Sequence, residues 1–250
     1  KLVKNMIPKI KDFTSLSDNI FVDIYDIPGL NDAKTRDIYY KWIEDNFSEL
    51  DIIIHIVDID SPLNTSDQID ILKMLIKNID QEKKKNDRDV FLLTLVNKCD
   101  EMDQEDGEFV MDEEDQENYD NIIKTTKEII RETLPEPKYI SPSDIKYGFT
   151  PISAAETFVY RMLHNDPSVE MDMKLLQKFG VNEIGRRAWN KMNEVEKREM
   201  IKEHFESAKI SDTLEITGYL QFTEILKNYL SKDRQSKILI DRIKQELQNE

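Results

Sequence analysis

One cysteine, three histidines and six glycines stand among 250 residues, and each shortage removes a class of explanation. A lone Cys99 forbids a disulfide within the chain, and one thiol with three scattered imidazoles supplies no ligand set of the zinc type. No apolar run approaches the length of a membrane span, and the first residues carry no signal-peptide pattern. The expectation is a soluble protein of the reducing cytoplasm. Basic charge is short as well: 35 Lys and Arg against 51 Asp and Glu leave a net charge of −16. That balance argues against binding nucleic acid or an anionic membrane through bulk electrostatics. Scarce Gly and Pro, with abundant Ile, Lys, Asn, Asp and Glu, favour helices and a few strands over a turn-rich sandwich. The length suffices to bury a substantial core, as one large domain or two small ones.

What is present alternates between two periods. Residues 1–13 place Leu2, Val3, Met6, Ile7, Ile10 and Phe13 at helical spacing, with Pro8 as a kink. Residues 19–27 hold Ile20, Phe21, Val22, Ile24 and Tyr25, a strand running into the loop Asp26-Ile27-Pro28-Gly29-Leu30-Asn31-Asp32. Residues 32–50 read as a helix with Ile38, Trp42, Ile43 and Phe47 inward. The next run, 51–58, is almost continuously apolar, which suits a strand covered on both faces of a parallel sheet. His55 interrupts it and reads as a core histidine with a satisfied hydrogen bond, since spacing pairs no carboxylate or nucleophile with it. A loop at 61–65 leads to a helix over 66–79, and Lys83, Lys84 and Lys85 form a solvated helix end. Residues 90–96 make a third strand, closing at Asn97-Lys98-Cys99-Asp100.

The most acidic stretch, 101–120, reads as a solvated, mobile loop. Its Asp106-Gly107 invites a calcium-loop reading, which fails because ligand positions fall on Met102 and Gln104. A helix over 121–134 follows with Ile122, Ile123, Ile129 and Ile130 inward, stopped by Pro135 and Pro137. A short strand over 149–152 ends at Ser153-Ala154-Ala155. Beyond it only helices are expected: 156–164, 168–179, 193–208, a helix over 219–230 opened by Thr217-Gly218, and, after a linker, a charged amphipathic helix over 238–247. The last packs at home or on a partner. The order strand, helix, strand, helix, strand predicts an α/β fold with a doubly wound, mostly parallel sheet and ligand chemistry at the carboxyl ends of its strands.

The motif at 97–100 has the residue types that read guanine. A carboxylate at Asp100 accepts both the ring N1–H and the exocyclic amine, which adenine does not offer in that arrangement. The Asn97 amide holds the opposite edge or ties neighbouring loops together, and the alkyl stem of Lys98 lies along the base face. Taken with Asp26-x-Pro28-Gly29 and Ser153-Ala154, in this order at three strand ends, the chain resembles the P-loop GTPases of the translation-factor-related class, and more loosely the dynamin-like large GTPases. The resemblance covers most of 20–155 and again 217–230, which looks like the closing helix of such domains. It implies that Asp26 holds Mg²⁺ through a bound water and that the Gly29 N–H approaches the γ-phosphate. Asn97, Lys98 and Asp100 would read the base, and the Ala154 N–H, supported by Ser153, would face the guanine oxygen. It implies GTP or GDP with Mg²⁺ as cofactors and a homodimer or an activating protein as partner. Membrane association would follow by family analogy alone.

Two departures bound these implications. Gly29 is the first glycine of the chain, so the phosphate loop Gly-x-x-x-x-Gly-Lys-Ser/Thr is absent before it. The near match Gly180-Val181-Asn182-Glu183-Ile184-Gly185-Arg186-Arg187 lacks the lysine and the hydroxyl, and no strand precedes it; it reads as a helix-capping and turn segment. In the family, the strand before that loop lies between those at 20–25 and 51–57, so the sheet would have a gap at its centre. The expectation is an incomplete GTPase domain whose first strand and phosphate loop come from a segment outside these residues. Leu30 stands where small signalling GTPases carry a glutamine, so no catalytic base is named; the water would be oriented by another group, a dimer partner or an activator's arginine.

These readings divide the chain into a partial GTPase domain over 1–155, a helical insertion over 156–216 with Phe179, Trp189, Met192 and Phe205 as core, the closing helix over 217–231 and a C-terminal helical extension over 232–250. Two functions stay open. One is the guanine-nucleotide-binding domain of a dynamin-like GTPase, hydrolysing GTP to GDP and phosphate as a switch or mechanochemical module. The other is a pseudo-GTPase scaffold, an interaction module with weak or no hydrolysis. Asn97 and Asp100 favour the first, and the missing phosphate loop favours the second. An unrelated α/β enzyme would need a paired nucleophile and base, which spacing does not supply.

Overall fold

The computed structural model describes residues 22–27, 36–61, 63–100, 102–105, 108–134 and 146–230, with 236, 238–240 and 243 of a last helix. Its strands are β1 (Ile52–Asp58), β2 (Phe91–Asn97), β3 (Asp103–Glu105), β4 (Glu108–Val110) and β5 (Tyr147–Ile152). The helices are α1 (Arg36–Asn46), α2 (Ser66–Asn86), α3 (Glu113–Thr133), α4 (Ala154–Asn165), α5 (Met173–Ile184), α6 (Arg186–Trp189), α7 (Glu194–Ser207), α8 (Ile210–Glu215) and α9 (Tyr219–Tyr229). No described helix is long and apolar enough to cross a membrane.

β1, β2 and β5 form a parallel sheet in that order, with Ile54 opposite Leu93 and Leu93 opposite Gly148. Parallel pairing requires crossovers, and α2 and α3 supply them. Thr65 starts α2 with a capping box: its hydroxyl accepts from the Gln68 N–H at 3.4 Å while the Gln68 side chain turns back to the Thr65 N–H. Asp112 caps α3 by its side chain alone, accepting from the Asp115 N–H at 2.8 Å. Leu72, Ile76 and Ile79 of α2 and Ile122, Ile129 and Ile130 of α3 pack with Val57, Leu92 and Val96 into one core on one face of the sheet. On the other face α9 lies along β2 and β5, where the Phe91 and Tyr229 rings stack at 3.4 Å and the Thr150 hydroxyl donates to Gln221 Oε1 at 2.8 Å. Arg88, 3% exposed, ties the end of α2 to the chain before β1 by donating to the Phe47 and Leu50 carbonyls and to Glu82. A buried guanidinium is tolerable only when its donors are satisfied in this manner.

Several expectations change. Among the described residues β1 is covered on one face: Val57 joins the core, whereas Ile54 and Ile56, on the opposite face, are 41% and 63% exposed. The strand expected over 19–27 is, within the described 22–27, a single β bridge at Ile24 in a segment otherwise without regular structure, outside the three-stranded sheet. Residues 1–21, 28–35, 135–145 and 231–235 lie outside the described residues, and with them the expected first helix, Gly29, Leu30, Pro135 and Pro137. Ile38 is exposed, while Ile43 and Phe47 are buried as expected. α2 continues through Lys83, Lys84 and Lys85 to Asn86, seven residues beyond the expected end at 79, and is capped by a left-handed Asp87 at φ 48°. The solvated loop expected over 101–120 holds the antiparallel β3–β4 pair and the first turns of α3. Met102, Phe109 and Met111 pack against the core and hold that acidic segment down.

A second cluster joins Val159, Tyr160 and Leu163 of α4 to Leu176, Phe179, Trp189, Ile201, Phe205 and Leu214. Three of the four expected core residues are here; Met192 is only half-buried and outside the cluster. Gly180 caps nothing. It lies inside α5, where a Cβ would stand 2.0 Å from the Trp189 ring, so the glycine admits the indole. Gly185, at φ 83°, is the break between α5 and α6.

Candidate guanine-base site

Neighbouring parallel strands bring the loops after β1, β2 and β5 to one end of the sheet. The register sets Asp58 and Ile152 opposite Asn97. The chain then turns at Lys98, whose φ of 67° is a left-handed conformation costly to a side-chain-bearing residue. Tertiary contacts on both sides hold it: the Ile59 N–H donates to the Asn97 carbonyl at 3.0 Å and the Cys99 N–H to the Ile152 carbonyl at 3.3 Å. The Cys99 side chain anchors the turn from below, fully buried, with Sγ donating to the Val96 carbonyl at 3.3 Å. Burial pushes its thiol up to about 12, so it stays protonated.

Two hydrogen bonds join the loop after β2 to that after β5. The Ser153 hydroxyl donates to Asp100 Oδ1 at 2.6 Å, and the Ala154 N–H donates to Asn97 Oδ1 at 3.1 Å. Ser153 is 0% exposed and also caps α4, its Oγ accepting from the Glu156 N–H at 3.4 Å. Its N–H donates to the Thr217 carbonyl at 3.0 Å. Four of the residues singled out from sequence, Asn97, Asp100, Ser153 and Ala154, are thereby gathered into one hydrogen-bonded unit. Lys98 is beside them, its ammonium paired with Asp58. Of the two roles weighed for the Asn97 amide, its oxygen here ties loops together. The Ala154 N–H points at that oxygen, so a keto group brought to it would share or replace the Asn97 contact.

The arrangement can read an edge of a base. Asp100 is oriented by a buried hydroxyl, and a carboxylate is an acceptor at both oxygens, the chemistry that two parallel N–H donors require. The first turn of α4 adds a positive dipole end beside it. Sequence reasoning missed three supporting residues. Thr217 carries the carbonyl that holds Ser153, and its hydroxyl lies 3.0 Å from Thr157 Oγ1 and donates to the Leu214 carbonyl. Gly218, at φ 76°, lets the chain pass where a Cβ would meet the Pro151 carbonyl oxygen at 2.1 Å. The Thr-Gly pair signalled a helix start, not this contact. Asp58 had no signal beyond its place at a strand end.

Asp26, expected on the phosphate side, is exposed on the segment 22–27, outside the three-stranded sheet, and Gly29 lies outside the described residues. Among the described residues no group of three or more potential ligands converges on a metal position. His55 differs from expectation: its Nδ1 is buried with no hydrogen-bond partner among the described residues, and burial lowers its pKa to about 4. A satisfied core histidine is thus corrected to an unsatisfied, neutral one.

No curated protein and no solved structure matches the chain. A family model of the Gtr1/RagA G protein conserved region matches residues 5–140, more than half of the chain. That span runs through β1, β2 and the 97–100 turn to the end of α3. It supports a GTP-binding GTPase domain, and it is Gtr1/RagA-like where the looser resemblance pointed to dynamin-like enzymes. A parallel α/β sheet with this loop at its carboxyl end and this match over it agree, and the chain belongs to the Gtr1/RagA G protein family.

Proposed function

We propose that the loops after β2 and β5 bind the base of GTP and GDP, with Asp100 accepting from the guanine N1–H and exocyclic amine. Asn97 and the Ala154 N–H serve the opposite edge, and the Lys98 stem lies on the base face. The 2.6 Å hydrogen bond from buried Ser153 to Asp100 carries this reading, since it spends a buried hydroxyl on fixing the direction of a carboxylate. Asp26 is assigned to Mg²⁺ through a bound water and Gly29 to the γ-phosphate, both on the family resemblance. The domain works as a nucleotide-dependent switch, and with an apolar Leu30 the group that orients the attacking water comes from a dimer partner or an activating protein.

Asp100→Asn tests the base assignment. An amide there turns one acceptor into a donor and suits xanthine, which carries an oxygen where guanine carries its amine. The expected result is a shift of preference from GDP towards XDP by about 10- to 100-fold, the worth of one or two hydrogen bonds to a charged group. Competition titrations with GDP, XDP and ADP read it; an unchanged order of affinities removes Asp100 from the site.

A further inference from the structure

We propose that Asp58 is a positioning residue of the base site, holding the Lys98 ammonium so that the Lys98 stem stands as a fixed wall beside the base. The inference rests on the reading of 97–100 as the base loop and adds a residue from a different loop to it. Asp58 ends β1, directly opposite Asn97 in the register. Its carboxylate is held at both oxygens: Oδ1 accepts from the Asp60 N–H at 3.1 Å, and Oδ2 takes the Lys98 ammonium. The backbone beneath is closed by the bond from the Ile59 N–H to the Asn97 carbonyl and by that from the Ser61 N–H to the Asp58 carbonyl, each 3.0 Å. The acceptor is therefore rigid, and so is the left-handed turn from which Lys98 leaves.

A lysine stem in water samples many rotamers, and a ligand that packs on it must order it. Tethering the ammonium orders the stem in advance, which lowers the cost of binding. Asp60 and Asp100 also act on the Lys98 charge and, with the hydrogen bond to Asp58 as the largest cause, hold its pKa above the ordinary lysine value. The direct contact with Asp58 is what gives the side chain a direction. The pair is solvent-accessible, with side chains 55% and 34% exposed, so it adds little to folding stability and its effect falls on the ligand.

The test is a set of four full-length chains, wild type, Asp58→Ala, Lys98→Ala and the double variant, with GDP and IDP each displacing a fluorescent GDP analogue. Asp58→Ala is expected to weaken both nucleotides about two- to fivefold, the range of an exposed ion pair, without altering their ratio, because the stem touches the base face and not its edge. In the Lys98→Ala background the same substitution is expected to change neither affinity. Asp58→Glu is expected to recover part of the loss. An Asp58→Ala affinity equal to wild type overturns the proposal, and so does a loss that persists undiminished in the absence of Lys98. A wild-type chain that binds no GDP overturns the base-site reading itself, an outcome distinct from the other two.

Discussion

His55 shows at the scale of one residue how burial becomes pH dependence. In the folded chain its imidazole stays neutral down to about pH 4, whereas in the unfolded chain it takes a proton near 6.5. Between those values the unfolded state binds the extra proton. The contribution of His55 to stability is therefore complete above about pH 6.5 and falls as the pH drops towards 4. The expected loss between pH 7 and pH 5 is about 2 kcal/mol, and His55→Leu removes that share of the pH dependence. Urea midpoints of both proteins at the two pH values measure it; parallel pH dependence in wild type and variant would clear His55. The sequence marked this residue as the interruption of an apolar run. Whether Nδ1 finds a partner depends on what β2 and the helices place beside it, which no local pattern records.

Among the elements, α9 and the β3–β4 pair are the instructive cases. α9 is legible from its apolar face and from Thr217-Gly218, but its function in the molecule lies in how closely its capping residue Gly218 approaches β5. Gly218→Ala places a methyl 2.1 Å from the Pro151 carbonyl oxygen, a backbone atom that cannot swing aside, and at a positive φ besides. The expected cost is about 2–4 kcal/mol in denaturant unfolding. Because Thr217 next to it holds the Ser153 N–H, GDP affinity should fall with it. A variant with wild-type stability and affinity would mean that α9 can shift without consequence for the base loop. The β3–β4 pair was obscured for the opposite reason. Charge density over 101–120 suggested a solvated loop, and three apolar residues, Met102, Phe109 and Met111, suffice to fasten it to the core.

For the molecule as a whole, the second cluster of buried side chains is continuous with the loop that holds Asp100. Ser153, bonded to Asp100, caps α4, and that cluster is built on Val159, Tyr160 and Leu163 of the helix with Tyr219 and Leu220 of α9 packed against it. The segment 168–209 contributes Leu176, Phe179, Trp189, Ile201 and Phe205 to this shared core and has no core of its own. Limited proteolysis is thus expected to leave cleaved pieces associated, as read by size-exclusion chromatography and mass spectrometry of the digest. Release of 168–209 as a folded fragment would contradict it. One consequence is that a partner gripping the helical segment acts on a body continuous with the loop that holds Asp100.

The amino-acid sequence by itself determined the order of strands and helices and the residue types at the base loop, because hydrophobic period and turn chemistry are properties of neighbours along the chain. Asn97, Lys98 and Asp100 could be named from their spacing. Tertiary structure alone decided which groups complete them. Ser153 reaches Asp100 across 53 positions, Asp58 meets Lys98 because parallel strands end side by side, and Thr217 holds Ser153 because α9 folds back over β5. It also decided that Ile54 and Ile56 of β1 are exposed and that the left-handed turn at Lys98 is held by contacts on both sides. Such pairings are set by register and packing between distant segments, and those act only once the chain has closed on itself.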